Sequence, residues 1–433
     1  MTAMKQLSTS WRGRAWVMFT ALALVGCLTD EEVLAPPTPA DAMFARYVAF
    51  GNSVTAGFQS GGINDSTQQR AYPVLVAKQM GSVFTVPSLS MPGCPPPIVD
   101  IYVQSRIDTI PNDCAFREGL TPGAPFISNL AVPAAAVFDV FGNDLPDARP
   151  NPLTTFILGG RTQVDAARAA SPTFATVWIG NSDAVSAATS SANPGDPALV
   201  TPPGVFAARY SALLDSLDTI GTLEGGILIG VVQVVFAPFF TQGRVWEGVE
   251  QELDAATTPL GFNAFDVGPA CLDNLPIPGS TEMAWAAVPF PVGMPKLALA
   301  QARIDSVTMG LLAPANVVTV TLDCTDTEAM TAAEVLNLIG AVTAYNATIE
   351  AAAQARDWPY LDPNELLEQL SQVPGAILTF PALPPTPESV TSPFGTALSR
   401  DGIHPSTLAH QLVANAIIDA INTHYNTSIP NLP

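Results

Sequence analysis

The chain has 433 residues, of which 48% are hydrophobic and 13% are charged, and its formal net charge is -21. A sequence this apolar is not that of a disordered protein, and its length suits one large domain or two ordinary ones. The negative charge repels phosphate backbones, so we expect no nucleic-acid partner.

The N-terminus has the pattern of a bacterial lipoprotein signal peptide, which we place at residues 1–27. A basic segment is followed by the apolar stretch 15–24 and by the lipobox-like sequence Leu-Val-Gly-Cys, which ends at Cys27. The pattern predicts lipidation of Cys27, a membrane anchor and a location in the cell envelope, outside the cytoplasm. An ordinary secretory peptide with an incidental cysteine is the alternative. Residues 28–45 are polar and contain prolines, which predicts a flexible tether before a domain at 46–433.

Short apolar strands alternate with amphipathic helices in this domain. The alternation predicts an α/β fold with a parallel sheet covered by helices on both faces. The predicted strands are 46–50, 174–179, 226–236 and 358–361, with a further strand, turn and helix start in 127–140. The predicted helices are 71–81, 205–220, 332–355 and 405–425.

Two segments interrupt the alternation. Residues 85–128 are rich in Pro, Gly and Cys, which predicts an irregular excursion. Residues 239–296 form a long apolar insertion whose aromatic side chains either wall a groove for acyl chains or build a second small core. These side chains are Phe239, Phe240, Trp246, Phe262, Phe265, Trp285 and Phe290.

Four cysteines remain beyond the lipobox, namely Cys94, Cys114, Cys271 and Cys324. An extracytoplasmic compartment permits disulfides, and four cysteines allow three pairings. Loop closure favours the two local pairs, Cys94–Cys114 and Cys271–Cys324. A zinc site is the alternative, but the chain has no Cys-x-x-Cys spacing, so we expect no metal.

The residues best suited to chemistry stand near the two ends of the domain. Ser53 directly follows the first predicted strand, and Asp401-Gly-Ile-His404-Pro405 precedes the last helix. A serine hydroxyl is a weak nucleophile until a base takes its proton, and the base works best when a third group orients it. The other histidines, His410 and His424, are predicted to be structural residues of the last helix and the C-terminal tail.

Several other chemistries lack their sequence signatures. The segment around Ser53 has no second glycine of a Gly-x-Ser-x-Gly elbow, and no lysine stands three residues after a serine. The chain also lacks His-Glu-x-x-His, a P-loop and Gly-x-Gly-x-x-Gly. In parallel sheets, ligands bind at the carboxyl ends of the strands, so we expect the segments around Ser53, Ala134, Ser182 and Asp401 to converge.

These segments together resemble the SGNH (GDSL) hydrolase family, whose motifs stand in the same order over residues 46 to about 425. The resemblance implies that Ser53 is the nucleophile, His404 the base and Asp401 its partner. It also implies a three-layer α/β/α, flavodoxin-like fold and the hydrolysis of esters, as by a serine esterase or lipase, for which no cofactor is needed. The N-terminal pattern places this activity outside the cytoplasm. The four motifs are Gly51-Asn52-Ser53-Val54-Thr55, Asn129-Leu130-Ala131-Val132-Pro133-Ala134, Gly180-Asn181-Ser182-Asp183 and Asp401-Gly402-Ile403-His404-Pro405.

The oxyanion hole is where the sequence departs from the family. The resemblance implies backbone donors at Ser53 and Ala134, where the family commonly has glycine at the second position. Ser182 occupies the place of the asparagine whose amide donates in the family, and Asn181 is the neighbour that could replace it.

We therefore expect hydrolysis of lipid or other small-molecule carboxylic esters by a monomer. The alternatives are a polysaccharide O-deacetylase and a non-catalytic cell-envelope lipoprotein that keeps the fold as a binding surface.

Overall fold

The computed structural model of the chain describes residues 38–108, 114–115, 126–141, 152–325, 327–382 and 385–433. The predicted signal peptide, the lipidation site Cys27 and all but the end of the predicted tether lie outside the described residues. Among the described helices, none is long and apolar enough to cross a membrane.

Strands and helices alternate along the chain. The strands are β1 Tyr47–Gly51, β2 Ile98–Asp100, β3 Ser105–Arg106, β4 Phe174–Trp178, β5 Gly225–Ile229, β6 Phe240–Gln242, β7 Phe265–Val267, β8 Asn274–Pro276, β9 Met283–Trp285, β10 Ala287–Pro289, β11 Val320–Leu322 and β12 Tyr360–Leu361. The α-helices are α1 Ser53–Ala56, α2 Asp65–Gln68, α3 Tyr72–Met80, α4 Pro152–Leu158, α5 Gln163–Ala170, α6 Asn181–Ala188, α7 Pro203–Asp218, α8 Gly243–Thr257, α9 Phe290–Thr308, α10 Ala332–Arg356, α11 Pro363–Ser371, α12 Pro387–Thr391 and α13 Thr407–Tyr425.

A four-stranded parallel sheet is the main sheet, with strand order β1-β4-β5-β12. Gly51 lies opposite Trp178 in the register of β1 and β4. Beyond β1, Ala49 and Asn129 form a parallel bridge, so the chain near 129 runs beside the outer edge of the sheet. The expectation of a mixed α/β protein with a parallel sheet is confirmed.

Strands β1, β4 and β5 are buried along their whole length because each of their two faces packs on a cluster of apolar side chains, whereas edge strand β12 is partly exposed. Successive side chains of a strand point to opposite faces, and in β1 Val48 and Phe50 belong to one cluster while Tyr47 and Ala49 belong to another. The first cluster contains buried residues of α5, α6, α7 and α10, and the second contains those of α3 and α13.

Strand β5 is shorter than the predicted strand 226–236. Its regular pairing stops at Ile229, and three asparagine side chains then accept the backbone N–H groups that a strand would pair. Asn346 accepts from Val231 at 2.6 Å, Asn181 accepts from Val232 at 2.9 Å, and Asn364 accepts from Gln233 at 2.7 Å. The apolar run therefore continues past the sheet as a loop that is fixed by side chains rather than by a neighbouring strand.

The insertion builds a core of its own. Trp246, Phe265 and Phe290 are fully buried in one cluster, which also contains residues of α9 and β11. Phe239 and Phe240 belong instead to the cluster of the main sheet. The second small core is therefore the correct alternative. None of the insertion's aromatic side chains lines the cavity described below.

The cysteines pair as loop closure predicts. The Cα atoms of Cys271 and Cys324 are 5.1 Å apart, and those of Cys94 and Cys114 are 5.3 Å apart, both within the range of disulfides. The first of these pairs joins Cys271, in a short 3-10 helix at Pro269–Leu272, to Cys324 in the loop after β11. Both cysteines lie in the core of the insertion. The second pair lies in the excursion at 85–128, of which residues 109–113 and 116–125 are outside the described part.

Candidate active site

Ser53 stands at the start of α1, directly beyond the carboxyl end of β1. Two glycines shape this turn. A side chain at Gly51 would overlap Thr55 and approach the Trp178 carbonyl, and Gly57 ends α1 with a φ of 90°, which favours glycine. The Ser53 Oγ atom lies 3.0 Å from His404 Nε2. The turn therefore brings the hydroxyl within hydrogen-bond reach of a base that is 351 positions away in the chain.

His404 is held by Asp401, which stands three residues before it. Its Nδ1 atom lies 2.8 Å from Asp401 Oδ2, and its ring lies 4.9 Å from the ring of Phe58. Since an ionised carboxylate only accepts hydrogen bonds, Nδ1 carries the proton and Nε2 keeps its lone pair. This tautomer is the one that can accept the proton of Ser53.

The Asp401 carboxylate accepts four further hydrogen bonds. Backbone N–H groups of Ile403 and His404 donate to Oδ1 at 3.0 and 2.9 Å, and Ser399 Oγ donates to the same atom at 3.0 Å. The N–H of Gly61 donates to Oδ2 at 2.6 Å. Burial raises the pKa of Asp401, but the electrostatic interaction with His404 and the hydrogen bonds from the His404 ring and from the His404 and Ile403 N–H groups outweigh it, and the pKa falls to about 2. The group is therefore an anion throughout the physiological range.

Gly61 and Ser399 are site residues that the sequence interpretation missed. Ser60 and Gly61 both have positive φ, at 54° and 65°, and Ser399 Oγ also accepts from the Ser60 N–H at 2.8 Å. Arg106 Nη1 donates to the Gly61 carbonyl at 2.8 Å. No local signal marks Gly61, because its contact with Asp401 joins positions 340 apart, whereas Ser399 stands only two residues before Asp401.

Gln163 on α5 is a third residue that was missed. Its side chain is fully buried and makes both hydrogen bonds that Gly51 offers. Oε1 accepts from the Gly51 N–H at 3.1 Å, and Nε2 donates to the Gly51 carbonyl at 3.0 Å. The backbone that leads into Ser53 is thereby fixed from the side of the helix.

Ala134 has a φ of 62°, so the turn does require the left-handed conformation that a glycine adopts without strain. Its surroundings hold the turn in place. Asp183 Oδ2 accepts from the Val137 N–H at 2.9 Å, and Asp139 Oδ2 accepts from the Ala136 N–H at 2.8 Å. Ala134 lines the same cavity as Ser53, and its backbone N–H is a candidate oxyanion donor.

Asn181 and Ser182 begin α6 at the carboxyl end of β4 and line the same cavity. Gly180 precedes them with a φ of 125°, and a side chain there would meet Val231 and Phe206. The Asn181 amide is oriented by its Oδ1, which accepts from the Val232 N–H at 2.9 Å. Its Nδ2 is buried and has no hydrogen-bond partner among the described residues. Asn181 therefore has an amide that is oriented through its oxygen and whose nitrogen is unpaired among the described residues.

The two other histidines lie outside the site, as predicted. His410 is fully buried in α13, where its Nδ1 accepts from the Tyr72 N–H at 3.2 Å. Burial, together with the charge of His404, lowers the pKa of His410 to about 3. His424 is near the end of α13, with Nε2 2.7 Å from the Asp357 carbonyl oxygen. Neither ring lines the cavity.

All the residues that the sequence nominates therefore converge on one cavity of about 290 Å³. Ser53, Ala134, Asn181, Ser182 and His404 line it, and Asp401 supports His404 from behind. Within the described ranges, no group of three or more His, Cys, Asp or Glu side chains could hold a metal ion. A comparison with models of known protein families finds no match to the chain, and neither does a comparison with curated proteins.

Proposed function

We propose that this protein is a serine ester hydrolase of the SGNH type, with Ser53 as the nucleophile. One observation carries the proposal, namely the hydrogen-bonded series Ser53–His404–Asp401 with distances of 3.0 and 2.8 Å. The three groups have the roles of nucleophile, base and orienting acid in acyl transfer. The open cavity beside Ser53 supplies the room that a substrate needs.

The reaction proceeds in two steps. Ser53 Oγ attacks the ester carbonyl carbon while its proton moves to His404 Nε2, and the backbone N–H groups of Ser53 and Ala134 donate to the oxyanion. The C–O bond to the alcohol then breaks as His404 returns the proton to the leaving oxygen. A water molecule, deprotonated by His404, attacks the acyl-enzyme, and the acid departs as the proton returns to Ser53.

The third oxyanion donor in this proposal is Asn181 rather than Ser182. Serine reaches less far than asparagine, and the amide of Asn181 already has its oxygen occupied and its nitrogen unpaired among the described residues. The non-catalytic alternative rests on the same departures, Ser182 and the strained Ala134, and labelling of Ser53 separates the two hypotheses.

The proposed architecture is a three-layer α/β/α, flavodoxin-like domain. Its supports are the parallel strand order, the extra bridge at Asn129 and the helices that belong to two clusters on opposite faces of β1. We further propose that the protein is an extracytoplasmic lipoprotein anchored through Cys27. The N-terminal pattern and the two cysteine pairs at disulfide distance support this proposal.

Hydrolysis of p-nitrophenyl acetate by the purified domain 46–433 is the first test. We expect turnover that Ser53→Ala lowers by about 10³-fold or more, because the nucleophile is lost. Ser280→Ala is the matched control, since Ser280 is exposed and does not line the cavity. Equal turnover by the wild type and Ser53→Ala would contradict the proposal.

A further inference from the structure

The cavity at Ser53 is lined mainly by apolar side chains. Beyond the polar groups of the site, its wall contains Val185, Val232, Val234, Leu366, Leu367 and Leu370. Its volume of about 290 Å³ is at the lower end of the range for small-molecule pockets, about 300–1,000 Å³. Water in such a space gains few hydrogen bonds, so an apolar ligand group displaces it favourably.

Helix α11 contributes the three leucines. They stand at positions 366, 367 and 370, which lie on one face of a helix, while Glu365, Glu368 and Gln369 are exposed. The leucines are only half-buried, and Pro363 is the one buried residue of the helix. Leu366 and Leu370 also pack on the edges of core clusters, and all three leucines line the cavity.

Helix α11 is fixed at its start, so this wall does not depend on a flexible loop. The Asn364 side chain accepts from the Gln233 N–H at 2.7 Å and donates to the Val231 carbonyl at 3.0 Å. The Asp362 side chain caps the helix by accepting from the Asn364 N–H at 2.8 Å. The leucines are therefore held at a defined position before any ligand arrives.

The apolar wall is continuous with the oxyanion side of the site. Val232 lies between the two, because its N–H donates to Asn181 while the next residue, Gln233, is bound by Asn364 of α11. The carbonyl oxygen of an ester points to the oxyanion donors, and the alcohol leaves toward His404 Nε2. The α11 wall is thus on the oxyanion side of the site, while Phe58, Ile403 and Pro405 line the cavity beside His404.

On the basis of the proposed function, we propose that this cavity binds the acyl chain of the substrate, and that the substrate is a medium-chain or longer fatty acyl ester. An acetyl group would leave the leucines in contact with water, whereas an octanoyl chain covers them. The ligand class is therefore a fatty acid ester, and the O-deacetylase alternative is disfavoured.

Two isomeric esters test whether the cavity binds the acyl side or the alcohol side of the ester bond. Ethyl octanoate and octyl acetate have the same atoms, but the long chain is on the acyl side in the first and on the alcohol side in the second. We expect the kcat/KM for ethyl octanoate to be higher by about tenfold or more, measured by acid release at constant pH. Equal values, or a preference for octyl acetate, would overturn the proposal while leaving the esterase function intact.

A variant with a narrowed cavity provides a second test of the acyl-chain assignment. Leu367 lines the cavity without belonging to a core cluster, so Leu367→Trp fills space with little effect on folding. We expect the ratio of kcat/KM for p-nitrophenyl octanoate over acetate to fall about tenfold. Gln369→Trp places the same side chain on the exposed face of the same helix and should leave the ratio unchanged. An unchanged ratio in Leu367→Trp would overturn the acyl-chain assignment. Absence of hydrolysis of every ester would overturn the proposed function as well.

Discussion

Asp401 shows how one residue gathers contacts from distant parts of the chain. The Asp-x-x-His spacing lets the carboxylate bind the His404 ring and the backbone of its own turn, and this part was predictable from sequence. The contact to Gly61 was not, because it depends on two loops that meet only in the folded protein. The identity of the acid and the local hydrogen bonds that lower its pKa were therefore predictable, but the long-range hydrogen bond from Gly61 was not.

The roles of Asn181 and Ser182 can be separated by substitution. Asn181→Asp keeps an oxygen that accepts from the Val232 N–H but replaces the unpaired donor by an oxygen. We expect kcat for p-nitrophenyl acetate to fall about 10²–10³-fold, the usual cost of one oxyanion donor, with a much smaller loss for Ser182→Ala. Thermal unfolding of both variants controls for damage to the fold. A larger loss in Ser182→Ala would show that Ser182 supplies the donor, as the resemblance to the SGNH family implies, and that Asn181 only holds the Val232 backbone.

Because His410 is buried and neutral, we expect the free energy of unfolding to depend on pH. Its pKa is about 3 in the folded protein and near 6.5 in the unfolded chain, so the unfolded chain binds the extra proton first as the pH falls. This contribution to stability is complete above pH 6.5 and is lost toward pH 3. At pH 4 the loss is about 3 kcal/mol.

The check on His410 is the free energy of unfolding in urea at pH 7 and at pH 4. The stability of wild type should fall more over this interval than that of His410→Gln, whose amide can still accept from the Tyr72 N–H. His424→Gln, at the end of the same helix, should behave as wild type. Parallel pH dependences of the wild type and His410→Gln would contradict a neutral buried imidazole.

At the scale of elements, the sequence patterns predicted the regular helices better than the irregular strands. Helix α13 begins at Thr407 with Ser406 as its cap, two residues after the predicted start at Pro405. The prediction of a strand at 226–236 is wrong in its second half, because asparagine side chains accept the backbone N–H groups there. A pattern of apolar residues does not reveal such contacts.

The insertion shows why an apolar composition did not identify the proposed acyl site. Aromatic residues dominate 239–296, yet they bury one another and supply no wall of the cavity. The wall comes from a helix of nine residues with three leucines, whose pattern is equally typical of a helix packed on a core. Only the placement of α11 beside Val232 distinguishes the two roles.

The Cys271–Cys324 pair is expected to stabilise the insertion rather than the site. It closes a loop of 53 residues, for which the chain-entropy model gives about 4 kcal/mol. The double variant Cys271→Ser/Cys324→Ser should lose about that much free energy of unfolding in urea. Esterase activity in dilute buffer should persist, because Ser53, His404 and Asp401 lie in other elements. Complete inactivation under conditions where the variant remains folded would contradict this separation.

For the whole molecule, the sequence predicted a parallel α/β sheet and the segments that meet at its edge. This was possible because strand-helix alternation and the carboxyl-end rule are properties of the fold class, independent of side-chain detail. The depth and chemistry of the cavity could not be predicted, since they arise from α6, α11 and α13 meeting across more than 200 residues of chain.

The central claim is that Ser53 is an activated nucleophile, and a fluorophosphonate probe tests it directly. The probe phosphonylates a serine whose proton is taken by a neighbouring base, and peptide mapping by mass spectrometry locates the adduct. We predict a single adduct on the peptide that contains Ser53, absent in Ser53→Ala and strongly reduced in His404→Gln. A folded protein that forms no adduct, or one that is modified at another residue, would contradict the account and favour a binding lipoprotein.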